Sequence, residues 1–302
     1  MDAVDIRILE ELRLDGRIGQ NELAAKLGIS RPTVSKHLAA LLDRRHVQIV
    51  GVVHPSTIGI DAIAHIAISV NQPVRRVAEL LAQIPDVPFV SLTSGRYPLL
   101  VEVRAIDSAA LTADLDRIRS VDGVVDTNTL VYSDLVIDIG RPERAPSIPI
   151  DKLDMALLAA LQEDGRASYR SLGELAGISA GTARMRVKRL MDEGVVRIGA
   201  LSRVGQGETE FAVGFGVRLT GPAASVSDLL VDLPGLHFLA ATFGRFDLLG
   251  TVHTANLNQI VNALDSIRAL RQVLEVDSWV HLETIKERYD YARPYSEERI
   301  RS

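Results

Sequence analysis

The chain has 302 residues, 47% of them hydrophobic and 24% charged, with a formal net charge of -5. That is enough apolar material for sizeable cores and for about two domains by the length prior. It has no cysteine, which excludes disulfides, thiolate metal sites and thiol nucleophiles. The acidic balance excludes blanket nucleic-acid binding and confines any DNA contact to local patches. The opening Met1-Asp2-Ala3-Val4-Asp5 lacks the basic and apolar regions of a signal peptide, and no apolar run is long enough to span a bilayer. A cytoplasmic protein with no membrane partner is the expectation.

In chain order, Asp2 or Asp5 starts a first helix with Ile6, Leu9 and Leu12 on one face, and Asp15-Gly16-Arg17 ends it. Gln20 to Leu27 reads as a short helix with Leu23, Ala24 and Leu27 inward. Gly28-Ile29-Ser30 then opens a third helix. Ser30 supplies the N-cap and Pro32 sits in the first turn, where its missing N–H is tolerated. Val34, Leu38, Leu41 and Leu42 recur at helical spacing, while Arg31, Thr33, Ser35, Lys36 and His37 fall on the opposite face. A short helix, a glycine turn and a capped helix with a cationic outer face make a helix-turn-helix. That third helix ends near Arg44-Arg45, and Val47 to Val53 reads as a strand forming a small wing. A solvated surface helix is the plainer reading of such a stretch.

The next segment has a different texture. Asp61 to Val70 is a β-rich apolar run, and Pro73 to Ile84 is helical with proline in its first turn. Val87 to Thr93, the Gly95-Arg96 turn, Leu99 to Ile106, a helix over Ser108 to Ser120 and a strand over Val124 to Val136 follow. The order βαββαβ is the ferredoxin-like arrangement, an antiparallel sheet with helices on one face. The other face, read as carrying Ile66, Ile68, Leu100 and Val131, is left apolar and uncovered, which implies a partner: the other half of the chain, another chain, or both.

After a proline-bearing linker, Ile139 to Ile150, everything recurs. Asp154 stands 149 positions after Asp5, and the same offset carries Asp15-Gly16-Arg17 to Asp164-Gly165-Arg166, Gly28-Ile29-Ser30 to Gly177-Ile178-Ser179, and Thr33 to Thr182. It also carries Gly95-Arg96-Tyr97-Pro98 to Gly244-Arg245-Phe246-Asp247. A register held over a whole half means one two-domain unit written twice. The expected division is 1–53 and 151–202 for winged helix-turn-helix domains, 60–137 and 209–286 for ferredoxin-like domains, 138–150 for the linker and 287–302 for a charged, tyrosine-bearing tail. Between Asp2 and Val50 there are eight Lys+Arg against seven Asp+Glu, and the same count holds from Asp151 to Gly199. The two segments are weakly positive inside an acidic chain, as local phosphate binding requires. In the second copy the bases crowd the third helix as Arg184, Arg186, Lys188 and Arg189.

The fold class expected is therefore α+β, two copies of a winged helix-turn-helix followed by a βαββαβ domain. With a Gly-x-aromatic-Asp turn between central strands, this pattern resembles the Lrp/AsnC family of feast/famine transcription regulators. The resemblance implies that the first domain of each copy binds operator double-stranded DNA. It implies that the second associates through its sheets into a homo-oligomer and binds a small-molecule effector, an amino acid or a related metabolite. The DNA-contact candidates are Arg31, Thr33, Ser35, Lys36 and His37 in the first copy. In the second they are Thr182, Arg184, Arg186, Lys188 and Arg189. The effector candidates are Gly244, Arg245 and Asp247, with Gly95 and Arg96; a charged turn that only shapes its hairpin is the alternative. Pro98 stands where the second copy has Asp247, and the recognition helices have diverged, which points to a non-palindromic operator.

No catalytic residues, metal or cofactor are expected. The competing reading is an enzyme resembling the siroheme decarboxylases, which share this fold and use histidine and basic residues around a tetrapyrrole. His65, His237, His253 and His281 fall on different predicted elements with no metal-ligand spacing such as HExxH, which argues against it. A third reading is a degenerate paralogue that binds ligand or protein but little DNA.

Overall fold

The computed structural model describes residues 2–43, 47–138, 141–142, 146–202, 211–254 and 256–289. The first copy runs α1 (Ala3–Leu14), α2 (Gln20–Leu27), α3 (Arg31–Asp43), β1 (Val47–Val53), β2 (Ala62–Val70), α4 (Val74–Leu81), β3 (Phe89–Thr93), β4 (Leu99–Ala105), α5 (Ser108–Arg119), β5 (Val124–Asp138) and a short β6 (Arg141–Pro142). The second runs α6 (Lys152–Glu163), α7 (Tyr169–Ala176), α8 (Ala180–Asp192), β7 (Val196–Ser202), β8 (Phe211–Leu219), α9 (Ala224–Leu230), β9 (Leu236–Phe243), β10 (Leu248–Thr254), α10 (Leu257–Arg268) and β11 (Val273–Glu287).

Local chemistry sets the helix ends. Asp2 and Asp151 close capping boxes with Asp5 and Asp154 at the starts of α1 and α6. Gly28 and Gly177 take left-handed φ values of 66° and 68° at the ends of α2 and α7, a conformation that costs glycine nothing. Ser30 and Ser179 then cap the recognition helices α3 and α8, each accepting from the backbone N–H of the threonine three residues on.

The six helices of the two head domains bury one shared core, with Leu9, Leu12 and Leu38 in one copy and Leu158, Leu161 and Val187 in the other. The expected wing strands exist, but each finds its partner in the other copy. β1 and β7 form an antiparallel ladder from Val47↔Ser202 to Val53↔Val196. The Asp-Gly-Arg motifs lock this junction. The Gly16 N–H donates to the Ile198 carbonyl at 2.8 Å and the Gly165 N–H to Ile49 at 2.9 Å. Arg17 donates to the carbonyls of Gly165 and Ala167, and Arg166 returns a bond to Ile18 at 2.6 Å.

The two ferredoxin-like sheets close on each other. The strand order is β2-β4-β3-β11-β8-β10-β9-β5, and β5 also pairs with β2, so eight antiparallel strands form a ring with no free edge. The copies thus partner one another. The outer faces pack on helices: Ile66, Ile68 and Val101 meet Val77, Leu81 and Ile118, while Phe215, Val217 and Leu248 meet Val226, Leu230 and Ile267. This corrects the expected inner face. Ile66, Ile68 and Val131 belong to the helix side; only Leu100 points inward. These strands are apolar on both faces, so alternation alone does not tell which side the helices cover. What lies inward is partly polar, including His65, Glu102, His253 and His281.

Tyr289, at the start of the tail, is buried against Val50, Val52 and Leu201 of the head ladder. The rest of the tail with Tyr291 and Tyr295, the linker stretches 139–140 and 143–145, Glu210 and the Arg44-Arg45 helix end lie outside the described residues.

Candidate nucleic-acid interface and ligand cavities

The recognition helices divide the DNA-contact candidates in two. Arg31, Ser35 and Lys36 on α3, and Arg184 and Lys188 on α8, are exposed. Among the described residues none of the four cations has an ion pair. The remaining candidates are engaged within the protein. The Thr33 and Thr182 hydroxyls lie 2.8 and 2.9 Å from the capping Ser30 and Ser179 oxygens. His37 Nδ1 is 2.7 Å from Asp5 Oδ1. Arg186 bridges Asp151 and Asp154 at 2.8 Å each, and Arg189 reaches the second oxygen of Asp154 at 2.6 Å. The outward cations also differ between copies: Met185, exposed, takes the place of Lys36, and Arg184 that of Ser35.

The effector candidates from the two copies converge. The Gly95-Arg96 turn and Arg245 line a single cavity of about 590 Å³, mouth included, whose wall also holds Asp277, Leu100, Leu130 and Trp279. Arg96 stacks on Tyr97 and Arg245 on Phe246, at 5.4 and 4.8 Å from the ring centroids. Arg245 also donates to Asp277 at 2.8 Å. Gly244 and Asp247 are not part of this wall. Asp247 accepts from the Leu219 N–H at 2.7 Å, and its own N–H donates to Val217. The hairpin does not depend on that carboxylate. In both copies a threonine (Thr93, Thr242) bonds across the turn to the residue at position 98 or 247 and to the aromatic before it, with the same pattern. Phe246 lies flat on Gly216, where an added Cβ would come within 2.3 Å of the ring.

A second cavity, about 690 Å³ with its mouth, adjoins the first and shares His65 and Trp279 with it. It gathers all four histidines that the sequence scatters: His65 on β2, His237 on β9, His253 on β10 and His281 on β11. The His237 and His253 rings stack at 4.2 Å, and His65 lies 6.2 Å from Trp279, which separates this cavity from the hairpin cavity. Burial keeps three of the imidazoles neutral: His65 is pushed down to about 3, His281 to about 4, and His253 in the same direction. His281 Nδ1 lies 2.9 Å from Ser91 Oγ, which itself contacts the Glu283 carbonyl. Both contacts are made together only if Nδ1–H donates to Ser91 and Ser91 donates onward, so Nε2 is an acceptor. It is buried with no partner among the described residues, as are His253 Nδ1 and the donor Trp279 Nε1.

The floor of the histidine cavity is charged. Arg104, fully buried on β4, donates to Glu102 at 2.6 Å and to Asp138 at 3.3 Å and lies 4.6 Å from the Tyr289 ring. Tyr132 donates to the other Glu102 oxygen at 3.0 Å. Burial nonetheless holds the Glu102 carboxyl above its ordinary range. Sequence reasoning passed over this network. Its signal was the alternation in Leu99-Leu100-Val101-Glu102-Val103-Arg104-Ala105, where charges take every second place in an apolar strand.

Family comparisons agree with this architecture. Residues 1–44 match a winged helix-turn-helix DNA-binding model, 61–140 the Lrp/AsnC ligand binding domain, and 150–191 the AsnC-type helix-turn-helix domain. An HTH-type transcriptional regulator of Pyrococcus abyssi is 32% identical over 148 residues, 45% of this chain and 95% of that protein. The HTH-type transcriptional regulator FL11 of Pyrococcus furiosus is 29% identical over 133 residues, 43% of this chain and 88% of that protein. Over the full length, the fold is similar to a crystal structure of the siroheme decarboxylase NirDL in complex with an iron-uroporphyrin III analogue. There the TM-score is 0.57 at 17% identity, covering 98% of this chain and 95% of that one. The chain belongs to the Lrp/AsnC family of transcription regulators, with the two-domain unit of that family present twice.

Proposed function

We propose that this protein is a DNA-binding transcription regulator with two unequal reading helices and an amino-acid effector held between its two hairpin turns. The observation that carries the reading is the division of labour on α3 and α8. One inward side chain, His37 on α3 and Arg186 on α8, anchors each helix to the acidic start of α1 or α6, and the cations Arg31, Lys36, Arg184 and Lys188 stand outward for phosphates and base edges. In the hairpin cavity, Arg96 suits an α-carboxylate and Asp277 an ammonium, with Leu100, Leu130 and Trp279 beside them for an apolar side chain.

The test is anisotropy of a labelled duplex from upstream of the protein's own gene, titrated at several salt concentrations with and without each of the twenty amino acids. Tight binding with a steep salt slope is expected. Lys36→Ala and Arg184→Ala should each lower that slope by about one contact's worth, roughly 0.9. Binding that ignores salt and both substitutions overturns the DNA reading. Arg96→Ala should abolish the response to whichever amino acid acts.

The full-length likeness to NirDL and the gathering of four histidines favour a second reading, a tetrapyrrole enzyme. The residues present fit it poorly. A uroporphyrin-type ring carries eight carboxylates, whereas the described lining of the histidine cavity has Glu102, Asp138 and Glu287 and no Lys or Arg. The hairpin cavity adds Arg96 and Arg245, the latter already paired with Asp277. An absorbance titration with iron-uroporphyrin III that gave no shifted band would exclude this reading.

A further inference from the structure

The second recognition helix turns an apolar side chain toward the side on which a duplex would lie. Met185 on α8 is 66% exposed. A single exposed apolar residue is ordinary on a protein surface. The surroundings of this one are not. Ala183, Val187 and Leu190 bury the inner face of α8, so Gly181, Arg184, Met185 and Lys188, all exposed, share one outward stripe at helical spacing. Met185 thus stands between the two outward cations, Arg184 beside it and Lys188 one turn on.

Gly181, one turn before Met185, is a second and independent observation. Glycine within a helix lowers its stability relative to alanine. Nothing described inside the protein asks for it. Its φ is not positive. Among the described residues, a Cβ added there would meet only the Ser179 Oγ, at 3.8 Å, an ordinary contact. A glycine with no internal reason, exposed on the outward stripe, fits a backbone that a partner approaches closely.

The first head is built otherwise. Pro32, Ser35, Lys36 and Ala39 stand where α8 has Gly181, Arg184, Met185 and Lys188, and Arg31 stands where α8 has Ala180. The first turn of α3 therefore carries a charge and a ring, whereas the first turn of α8 carries neither. The second turn of α8 sets a guanidinium beside a thioether. In the major groove the N-terminal part of a recognition helix meets the base edges. A thioether has no hydrogen to donate and accepts only weakly, so it discriminates by apolar contact. The apolar group on the major-groove edges is the C5-methyl of thymine.

We propose that Met185 is a specificity-determining residue of the second head, reading the methyl group of a thymine, and that Gly181 lets α8 sit close enough to the duplex for that contact. Lys36, at the same position of the first head, reads acceptor atoms instead, so only one half-site requires the thymine. The proposal rests on the regulator reading.

The experiment selects duplexes from a pool randomised over about 30 base pairs, room for two half-sites one or two helical turns apart. The full-length protein is used, and beside it Met185→Lys, which copies the first helix. The unsubstituted protein is expected to enrich two unequal half-sites, one of them with a fixed thymine that the Met185→Lys selection lacks. Replacing that thymine by deoxyuridine removes the methyl group alone. It should weaken the unsubstituted protein about fourfold, the worth of one buried methyl group, and leave Met185→Ala unchanged. Gly181→Ala should keep or slightly raise the urea midpoint while weakening binding to the selected duplex. Affinity that ignores deoxyuridine, or a Met185→Lys selection with the same two half-sites, overturns the proposal and leaves the regulator reading standing. A pool in which no sequence is enriched overturns both. Gly181→Ala that binds as tightly as the unsubstituted protein overturns the close approach of α8.

Discussion

His37 and Arg186 occupy the same position in the two copies and make the same connection with different chemistry. His37 Nδ1 sits 2.7 Å from Asp5 Oδ1, and Arg186 Nη1 sits 2.8 Å from Asp154 Oδ1. Each ties the middle of a recognition helix to the start of the first helix of its head. The Asp154 carboxylate is almost fully buried, so its partner matters for the fold. Arg186→Ala leaves that carboxylate with Arg189 and the cap alone, and is expected to cost about 2 kcal/mol in urea unfolding. Arg184→Ala, an outward neighbour two residues away, should stay within about 0.5 kcal/mol. Equal costs would show that the inward arginine is not an anchor.

The buried imidazoles set a pH limit on stability. His65 and His281 are neutral in the fold, held at about 3 and about 4 against an ordinary value near 6.5, and burial lowers His253 in the same direction. The unfolded chain therefore binds protons first as pH falls. Their contribution is complete above about 6.5 and is lost below it, at roughly 1.4 kcal/mol per pH unit for each histidine, down to about 4 for His281. Denaturant midpoints measured at pH 7.5 and 5 should fall steeply between the two, and His281→Gln should flatten the slope by about one histidine's share. A midpoint that is flat across this range would show these side chains to be solvated.

The junction between the heads is expected to be intolerant of a single methyl group. A Cβ on Gly165 would lie 2.7 Å from Ile198 Cγ2 and 2.9 Å from the Val50 carbonyl carbon; one on Gly16 would meet Ile49 and Gly199 as closely. The backbone atoms cannot step aside without breaking the bond from the Gly165 N–H to Ile49. Gly165→Ala should cost roughly 1–3 kcal/mol by overpacking, read from the denaturant midpoint. Gly181→Ala, on the surface of α8 with only a distant contact, is the control and should be neutral or slightly stabilising. A neutral Gly165→Ala would mean that the heads do not dock as described.

Much of this was legible in the sequence because it is local. Caps such as Ser30 and Ser179, the left-handed Gly28 and Gly177, and the βαββαβ order all leave marks within a few residues. The duplication was legible because the offset never slips. What could not be read was long-range. Nothing near Arg17 says that it reaches Gly165, and nothing near His65, His237, His253 or His281 says that four strands from two copies bring them to one cavity. The roles of Arg186 and His37 were hidden for a similar reason. Helical periodicity places both at the edge of the outward face, and only the packing of α1 and α6 against the recognition helices turns them inward.

The ring also predicts how one copy behaves alone. In the full chain β3 pairs with β11 and β5 with β9, which are equivalent junctions related by a pseudo-two-fold axis, since β11 repeats β5 and β9 repeats β3. Residues 1–150 alone would expose β3 and the far part of β5 as open edges, together with an inner face bearing Leu100 and Leu130. The same self-complementary pairing is open to two identical copies, so this fragment should form a homodimer. It should be less stable than the intact chain. Position for position, Gln48 replaces Arg197, Gly140 replaces Tyr289 and Leu130 replaces Trp279, so each Asp138 loses its guanidinium from the head ladder and each Arg104 its aromatic lid. Sedimentation equilibrium at micromolar concentration checks the association and urea unfolding the stability. A fragment that stays monomeric and folded would show that the first sheet does not need a second to close it.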